Sequence, residues 1–342
     1  MITKIIQEEL IQKAKKYVEK GDSFVIVTHV SPDGDALGSS LGLYHFLTAY
    51  GKDNVSVIVP NAFPEFYRWM PGAKDIVVYE KYPDFAEQLL HEADVIFCLD
   101  FNDPKRVEKL AGPLLAADGR KVLIDHHLNP ADFCRVQMSY PEMSSTSEMI
   151  FRFICRMGFF SLLNKETATC IYTGMMTDTG SFTYNSNKPE IYTIISELIK
   201  KGIDKDWIYR QVNQVYSESR LRMMGYMLYE KMKVYPELRT ALITLSAEEL
   251  GRFHYRAGDT EGFVNMPLDI KDVEFSAFLR EDKDYIKISL RSVGDFPCNT
   301  FASTYFNGGG HKNASGGEFH GTLADAVARF EQGLQEFNPK KF

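Results

Sequence analysis

Three apolar runs in the first part of the chain each stop at an acid or a histidine. FVIVT (24–28) runs into His29, DVIFCL (94–99) into Asp100, and KVLI (121–124) into Asp125, His126 and His127. A fourth run, VSVIV, covers 55–59. These runs are rich in β-branched residues and almost unbroken in apolar character, so they read as strands covered on both faces. Helical patterns lie between them at 36–50, 84–91 and 103–111, with Pro104 suited to a first turn. The stripe of 36–50 consists of residues 37, 41, 43, 44 and 47. Strand–helix alternation of this kind predicts an α/β fold with a mostly parallel sheet in the N-terminal part.

In a parallel sheet every carboxyl end lies along one edge, and ligands bind in the crevice outside it. The first run delivers His29, with Asp33 and Asp35 close behind in SPDGD; the others deliver Asp100, Asp125, His126 and His127. A helix expected over 165–177 delivers Asp178 from TDTGSF. A single aspartate at such a place is ordinarily a helix cap or a turn residue. Five aspartates and three histidines from four separate segments would repel one another without cations among them. Mixed carboxylate and imidazole donors suit Mn²⁺, Mg²⁺, Fe²⁺ or Co²⁺ better than a thiolate zinc site. The donors exceed the need of one ion. Two ions about 3.5–4 Å apart that share an aspartate suit in-line displacement at phosphorus.

The second half reads differently. SSTSE (144–148) can open a helix, with Ser145 and Glu148 at capping-box spacing. A helical tract over 189–232 leads to strands expected at 239–245, 273–280 and 285–292. The glycine-rich loop NGGGHKNASGG (307–317) follows, and then a terminal helix over 322–337 striped by Leu323, Val327, Phe330, Leu334 and Phe337. This half is expected to be a smaller α+β domain. The expected division is a metal-binding domain at 1–188, a helical connection at 189–236 and a substrate domain at 237–342, with the catalytic cleft between the two domains.

HVSPDGD, LDFND, IDHH and TDTGSF, in that order, resemble the four motifs of the DHH phosphoesterase superfamily. GGGHKNASG resembles the signature of the DHHA1 domain that accompanies one branch of it. Length and domain pairing most resemble the NrnA-type oligoribonuclease and pAp phosphatase branch. RecJ-type exonucleases are generally longer, and family II pyrophosphatases carry a different second domain. The resemblance implies one metal held by His29, Asp33 and Asp100, and another by Asp35, Asp100, His126 and Asp178, with Asp100 bridging. It implies two divalent ions, Mn²⁺ first, with Mg²⁺ or Co²⁺ as substitutes. His127 would orient the scissile phosphate or assist proton transfer, and Asp125 would fix a histidine ring. No position of the four motifs departs from the pattern in a way that removes a ligand.

The glycine loop of the second domain is expected to hold substrate phosphate through Gly308, Gly309 and Gly310, with His311 and Lys312 adding cationic contact. Arg291, in SLRS, is a candidate for a terminal phosphate, and Arg280 a further one. Thr146 and Ser147 are candidates to face the catalytic edge, with helix capping as the simpler role. His45, His91, His254 and His320 lie outside the motifs and read as packed or surface histidines.

These readings converge on a phosphohydrolase that releases 5′-nucleotides from very short oligoribonucleotides, phosphate from 3′-phosphoadenosine 5′-phosphate (pAp), or both. The alternatives are cleavage of a cyclic or linear dinucleotide, a RecJ-like single-strand exonuclease, and a catalytically dead nucleotide sensor, which would have lost metal ligands. A net charge of -7 disfavours a protein that coats long nucleic acid, because such binding rests on phosphate neutralisation. Acids at Glu8 and Glu9 argue against a signal peptide, and no apolar stretch is long enough to span a bilayer. Five scattered cysteines without a C-x-x-C pair fit single buried thiols in a reducing cytosol. The expected setting is therefore cytoplasmic, without membrane partners, and a homodimer is a further expectation.

Overall fold

The computed structural model describes residues 5–214 and 216–337. The outermost residues of the N-terminal stretch and of the expected substrate domain, and position 215 of the expected connection, lie outside them. The chain forms two compact units, Met1–Val215 and Tyr216–Phe342. The tract read as a connection is shared between them.

The first unit runs α1 (Glu8–Lys20), β1 (Ser23–Val27), α2 (Gly34–Ala49), β2 (Asn54–Val59), β3 (Val77–Val78), α3 (Pro83–Glu92), β4 (Val95–Leu99), α4 (Ala111–Ala116), β5 (Arg120–Asp125), β6 (Val136–Ser139), α5 (Thr146–Arg156), α6 (Lys165–Asp178), α7 (Pro189–Lys200) and α8 (Lys205–Asn213). Its six strands make a wholly parallel sheet in the order β3-β2-β1-β4-β5-β6. The unbroken apolar runs are explained by burial on both faces. Phe24 and Ile26 of β1, Phe97 and Leu99 of β4, and Val122 and Ile124 of β5 join one core with α1, α2, α5, α6 and α7. Val25, Val27, Ile96, Cys98 and Leu123 alternate with them and join the other core, under α3 and α4.

Several local expectations change. The helical pattern at 103–111 is a 3₁₀ segment, Pro104–Leu110, broken by a left-handed Glu108. Helix α2 has no exposed stripe over most of its length, because its first ten residues, Gly34 to Leu43, are buried all round. Strands β3 and β6 were not visible in the sequence; β6 alternates buried and half-buried residues (Val136 to Ser139) and has no apolar run. All five cysteines are free, and Cys155 is the one that is only half-buried. Cys98 and Cys134 share the second core, a proximity their spacing did not suggest.

The second unit runs α9 (Glu218–Tyr226), β7 (Lys233–Tyr235), β8 (Thr240–Leu245), α10 (Ala247–Arg252), β9 (Phe275–Glu281), β10 (Ile286–Ser292), α11 (Cys298–Tyr305), β11 (Gly309–His311), β12 (Ala314–Phe319) and α12 (Leu323–Phe337). Its sheet has the order β11-β12-β10-β9-β8-β7 and is antiparallel except for the β8–β9 pair. One face packs on α11 and α12, where Phe330 and Leu334 are buried and Leu323, Val327 and Phe337 partly so, as the striped helix predicted. The other face carries Ile243, Leu245 and Phe278 against Met223, Met227 and Phe263.

The glycine-rich segment is not a loop: Gly309–His311 pairs antiparallel with Ala314–Phe319. At Gly308 a Cβ would lie 2.1 Å from the Gly316 carbonyl oxygen, so the backbones approach too closely for any side chain there.

Candidate metal centre

The strand order reverses on the two sides of β1, and β1 and β4 are hydrogen-bonded neighbours at that switch point. His29 follows β1 and Asp100 follows β4, so both stand at the crevice where such sheets take their ligands. Asp125 ends the neighbouring β5, and His126 and His127 follow. The expectation that these ends meet is realised at short range. His29 Nε2 lies 3.4 Å from Asp100 Oδ2 and 3.9 Å from Asp33 Oδ1. His126 Nε2 lies 3.6 Å from Asp100 Oδ1, 3.4 Å from Asp178 Oδ2 and 3.9 Å from Asp35 Oδ2. Three groups, His29–Asp33–Asp100, Asp35–His126–Asp178 and Asp100–His126–His127, each offer ligand atoms within 4.8 Å of one another.

The histidine rings are orientated for coordination by their far nitrogens. Nδ1 of His29 meets the Val30 carbonyl at 2.7 Å, and Nδ1 of His126 meets that of Met143 at 3.3 Å. A carbonyl can only accept, so each Nδ1 carries a hydrogen, and Nε2 is the ring atom that faces the carboxylates and could coordinate a cation after losing its proton. His127 differs. Its Nδ1 meets Asp125 Oδ1 at 2.7 Å, and its backbone N–H donates to the other oxygen of Asp125. Asp125 therefore fixes a ring, as the resemblance implied.

The carboxylates are placed with equal care. Asp33 caps α2, its Oδ1 accepting from the Asp35 and Ala36 amides, so the simple helix-cap role exists here beside the ligand geometry. Asp100 adopts a left-handed backbone (φ 63°), a conformation aspartate tolerates better than most residues. Asp35 accepts from the Thr146 and Ser147 amides at 2.7 and 2.9 Å, at the amino end of α5, where the helix dipole favours an anion. Capping of α5 falls instead to Ser145, whose hydroxyl accepts from the Glu148 amide. The second half of the expected capping box is absent: Glu148 turns away to accept from Ser144 and to pair with Arg152. Asp35 and Asp178 are brought together by close packing of α2 on α6. A Cβ at Gly38 would lie 2.7 Å from both the Cys170 carbonyl oxygen and the Gly174 amide nitrogen. The glycines at 34, 38 and 42, spaced by four, were the unused signal for this contact.

Burial and mutual charge shift the proton affinities of these groups. Burial, with the nearby Asp100 and Asp178 charges, pushes the Asp35 carboxyl well above the usual range. Burial likewise raises Asp178 to about 7, against the opposing pull of His126. Burial pulls His29 down, but its bond to Asp100 and the charges of Asp33 and Asp100 prevail and carry it up to about 9. His126 reaches about 9 in the same way, against burial, through Asp178, Asp100 and Asp35. Asp100 is held well below the usual carboxylate range, because its contacts to the three histidines outweigh burial. Carboxylates and imidazoles that bind protons so close together form a donor set that fits hard or borderline divalent cations.

In the second unit, Arg280, Lys287, Ser289 and Arg291 line a cavity of about 220 Å³ together with Tyr255, Thr260 and Phe278. Register places Arg280 opposite Lys287, and Arg291 four residues further along the same face of β10. Arg280 donates to the Tyr255 hydroxyl, Thr260 Oγ1 and Asp282, and Arg291 Nη1 donates to the Leu290 carbonyl. Lys287 was not picked out from the sequence, although its alternation with Ser289 and Arg291 on β10 was available. Gly309, Gly310 and His311 are exposed on β11, and Lys312 is paired with Asp295. His91, His254 and His320 are exposed, and His45 is half-buried against Gly72.

A largely buried carboxylate–imidazole cluster at the switch point of a parallel sheet could hold divalent cations, as a metal-dependent hydrolase requires. Residues 23–175 match the DHH family N-terminal domain, and residues 241–337 match the DHHA1 domain. Over 96% of its length the chain is 31% identical to the bifunctional oligoribonuclease and PAP phosphatase NrnA of Thermus thermophilus, covering 93% of that protein. It is 25% identical to the protein of the same description from Bacillus subtilis, over 92% of this chain and 94% of that one. The crystal structure of an exopolyphosphatase-related protein from Bacteroides fragilis superposes with a TM-score of 0.97 at 63% identity, covering 98% of each chain. The chain belongs to the DHH family and is a metal-dependent phosphoesterase. Among the described residues no helix is long and apolar enough to cross a membrane.

Proposed function

We propose that the chain hydrolyses very short oligoribonucleotides to 5′-nucleotides and removes a phosphate from pAp. The observation that carries this reading is the sharing of Asp100 between two ligand groups, His29–Asp33 on one side and His126 on the other, in a chain similar over nearly its whole length to NrnA-type enzymes. His29, Asp33 and Asp100 would hold one divalent ion, and Asp35, Asp100, His126 and Asp178 the other, with Mn²⁺ the preferred metal. When bound, such ions supply Lewis acidity toward a phosphoryl group and acidify water.

The chain's own residues supply the rest. Asp125 sets the His127 ring with hydrogen on Nδ1, so Nε2 is the atom that accepts a proton or meets a phosphate oxygen. In the second unit, Arg291, with Arg280 held beside it, is suited to a terminal phosphate. Gly309, Gly310 and His311, exposed on β11, are suited to a second phosphate, whereas the Gly308 amide expected to join them already donates to the Ala302 carbonyl. The reading places the enzyme in the cytoplasm, acting on small anions in keeping with its net negative charge.

A product assay with Mn²⁺ and an EDTA control tests it, with pAp, an RNA dinucleotide, an RNA pentamer, a long DNA strand, pyrophosphate and cyclic di-AMP as substrates. AMP from pAp and mononucleotides from the short RNAs, both abolished by EDTA, are expected. Preferential digestion of long DNA, or of cyclic di-AMP alone, would overturn the proposal.

A further inference from the structure

Thr146 is the first residue of α5, and its hydroxyl is not needed to cap the helix because Ser145 already does so. The residue is wholly buried. It makes two bonds into the metal centre. Its amide donates to Asp35 Oδ2 at 2.7 Å, and its Oγ1 donates to Asp100 Oδ1 at 2.9 Å. Asp35 comes from α2 and Asp100 from the end of β4, so one residue ties together carboxylates delivered by two different elements.

The bond to Asp100 has a specific mechanical role. Asp100 Oδ2 faces His29, whereas Oδ1 faces His126. A carboxylate serves two ions only while each oxygen points at its own site. The torsion that sets this orientation, χ2 of aspartate, is broad and soft, unlike a staggered sp³ torsion. The left-handed backbone of Asp100 fixes where the side chain begins but not how its end plane is turned. Thr146 Oγ1 reaches Oδ1 from a β-branched side chain that is itself stiff at χ1, on a helix end buried in the core. It therefore locks the carboxylate plane.

From this geometry we infer that Thr146 is a positioning residue that holds Asp100 in its bridging orientation and so couples the affinities of the two ion sites. The inference rests on the two-metal reading above. Outer partners of metal ligands typically affect metal affinity by about 10–100-fold, and a loss in that range is expected here.

The test is titration of Mn²⁺ into the metal-free full chain by calorimetry, with kcat and KM at saturating Mn²⁺ and a thermal midpoint for each variant. Thr146→Val keeps the shape and the amide bond to Asp35 but removes the hydroxyl. It should lower Mn²⁺ affinity about 10–100-fold and reduce kcat with KM for substrate little changed. Thr146→Ser keeps the hydroxyl and should bind Mn²⁺ nearly as the wild type does. Wild-type affinity in Thr146→Val, or an equal loss in Thr146→Ser, would overturn the inference, since shape would then matter and the hydroxyl would not. If Thr146→Val does not fold, Thr146→Ala against Thr146→Ser decides: a loss confined to alanine supports the role, and equal behaviour refutes it. Asp100→Ala separates the two layers of argument. Retention of both ions in that variant would refute the ligand assignment itself, whereas loss of ions there with an unchanged Thr146→Val refutes the Thr146 role alone.

Discussion

Arginine is used in opposite ways in the two units. In the first, Arg152 is fully buried on α5, one turn beyond Glu148, with Nε and Nη2 both donating to Glu148 Oε1 at 2.8 and 2.5 Å. Glu148 in turn accepts from Ser144 just ahead of α5, so the pair braces the helix end that holds Asp35 and Asp100. In the second unit, Arg280 and Arg291 are half-buried on a sheet face beside a cavity. Their neighbours orientate them without enclosing them. The same side chain is a strut where the structure must not move and, under the proposed function, a reader for a substrate phosphate. Burial decides which role it takes.

The comparison can be broken most easily at the strut. Arg152→Met leaves a carboxylate buried without its cation, and such changes cost about 3–5 kcal/mol. A denaturant midpoint should fall accordingly; a loss below about 1 kcal/mol would mean that Glu148 is satisfied without Arg152 and that the brace is dispensable. The metal centre sharpens the comparison through pH. His29 and His126, held up near 9, and Asp178, near 7, carry protons that a cation must displace. Below those values protons compete, so Mn²⁺ affinity should rise with pH from 6 toward 9, about tenfold per unit for each proton released. Calorimetry in buffers of different ionisation enthalpy counts those protons, and a pH-independent affinity would contradict the picture. At the reader, Arg291→Ala should raise KM for short substrates about tenfold, the loss of one charged hydrogen bond, with kcat and stability nearly unchanged. An equal fall in kcat would move Arg291 into the chemistry.

The convergence of these residues was legible because a parallel sheet converts position along the chain into position in space: His29 and Asp100 follow strands and Asp125 ends one, and strand ends share an edge. Asp33 and Asp35 came with the first strand, and Asp178 with the end of a clear helix. What could not be read was contact between elements that advertise nothing locally. The aim of the Thr146 hydroxyl depends on the angle at which α5 meets β4. The partner of Glu148 was visible four residues on, at Arg152, yet a capping box explained the same glutamate equally well. Strands β3 and β6 escaped because one has two residues and the other alternates. The segment 307–317 misled because glycine serves a turn and a tight strand pairing alike, and only a backbone approach such as that at Gly308 tells them apart. The bracing of Arg280 by Tyr255 and Thr260 joins segments far apart in sequence, beyond the reach of any pattern.

The packing of α2 on α6 acts as a gauge block. With no side chain at Gly38 or Gly174, two backbones meet at hard-sphere distance, and Asp35 and Asp178 inherit their separation from that contact. Rotamers can relax and surface charges can drift, but a spacing set by backbone against backbone has no soft coordinate through which to change. Over evolutionary time the surroundings of such a centre can be remodelled while the distance between its carboxylates stays constant.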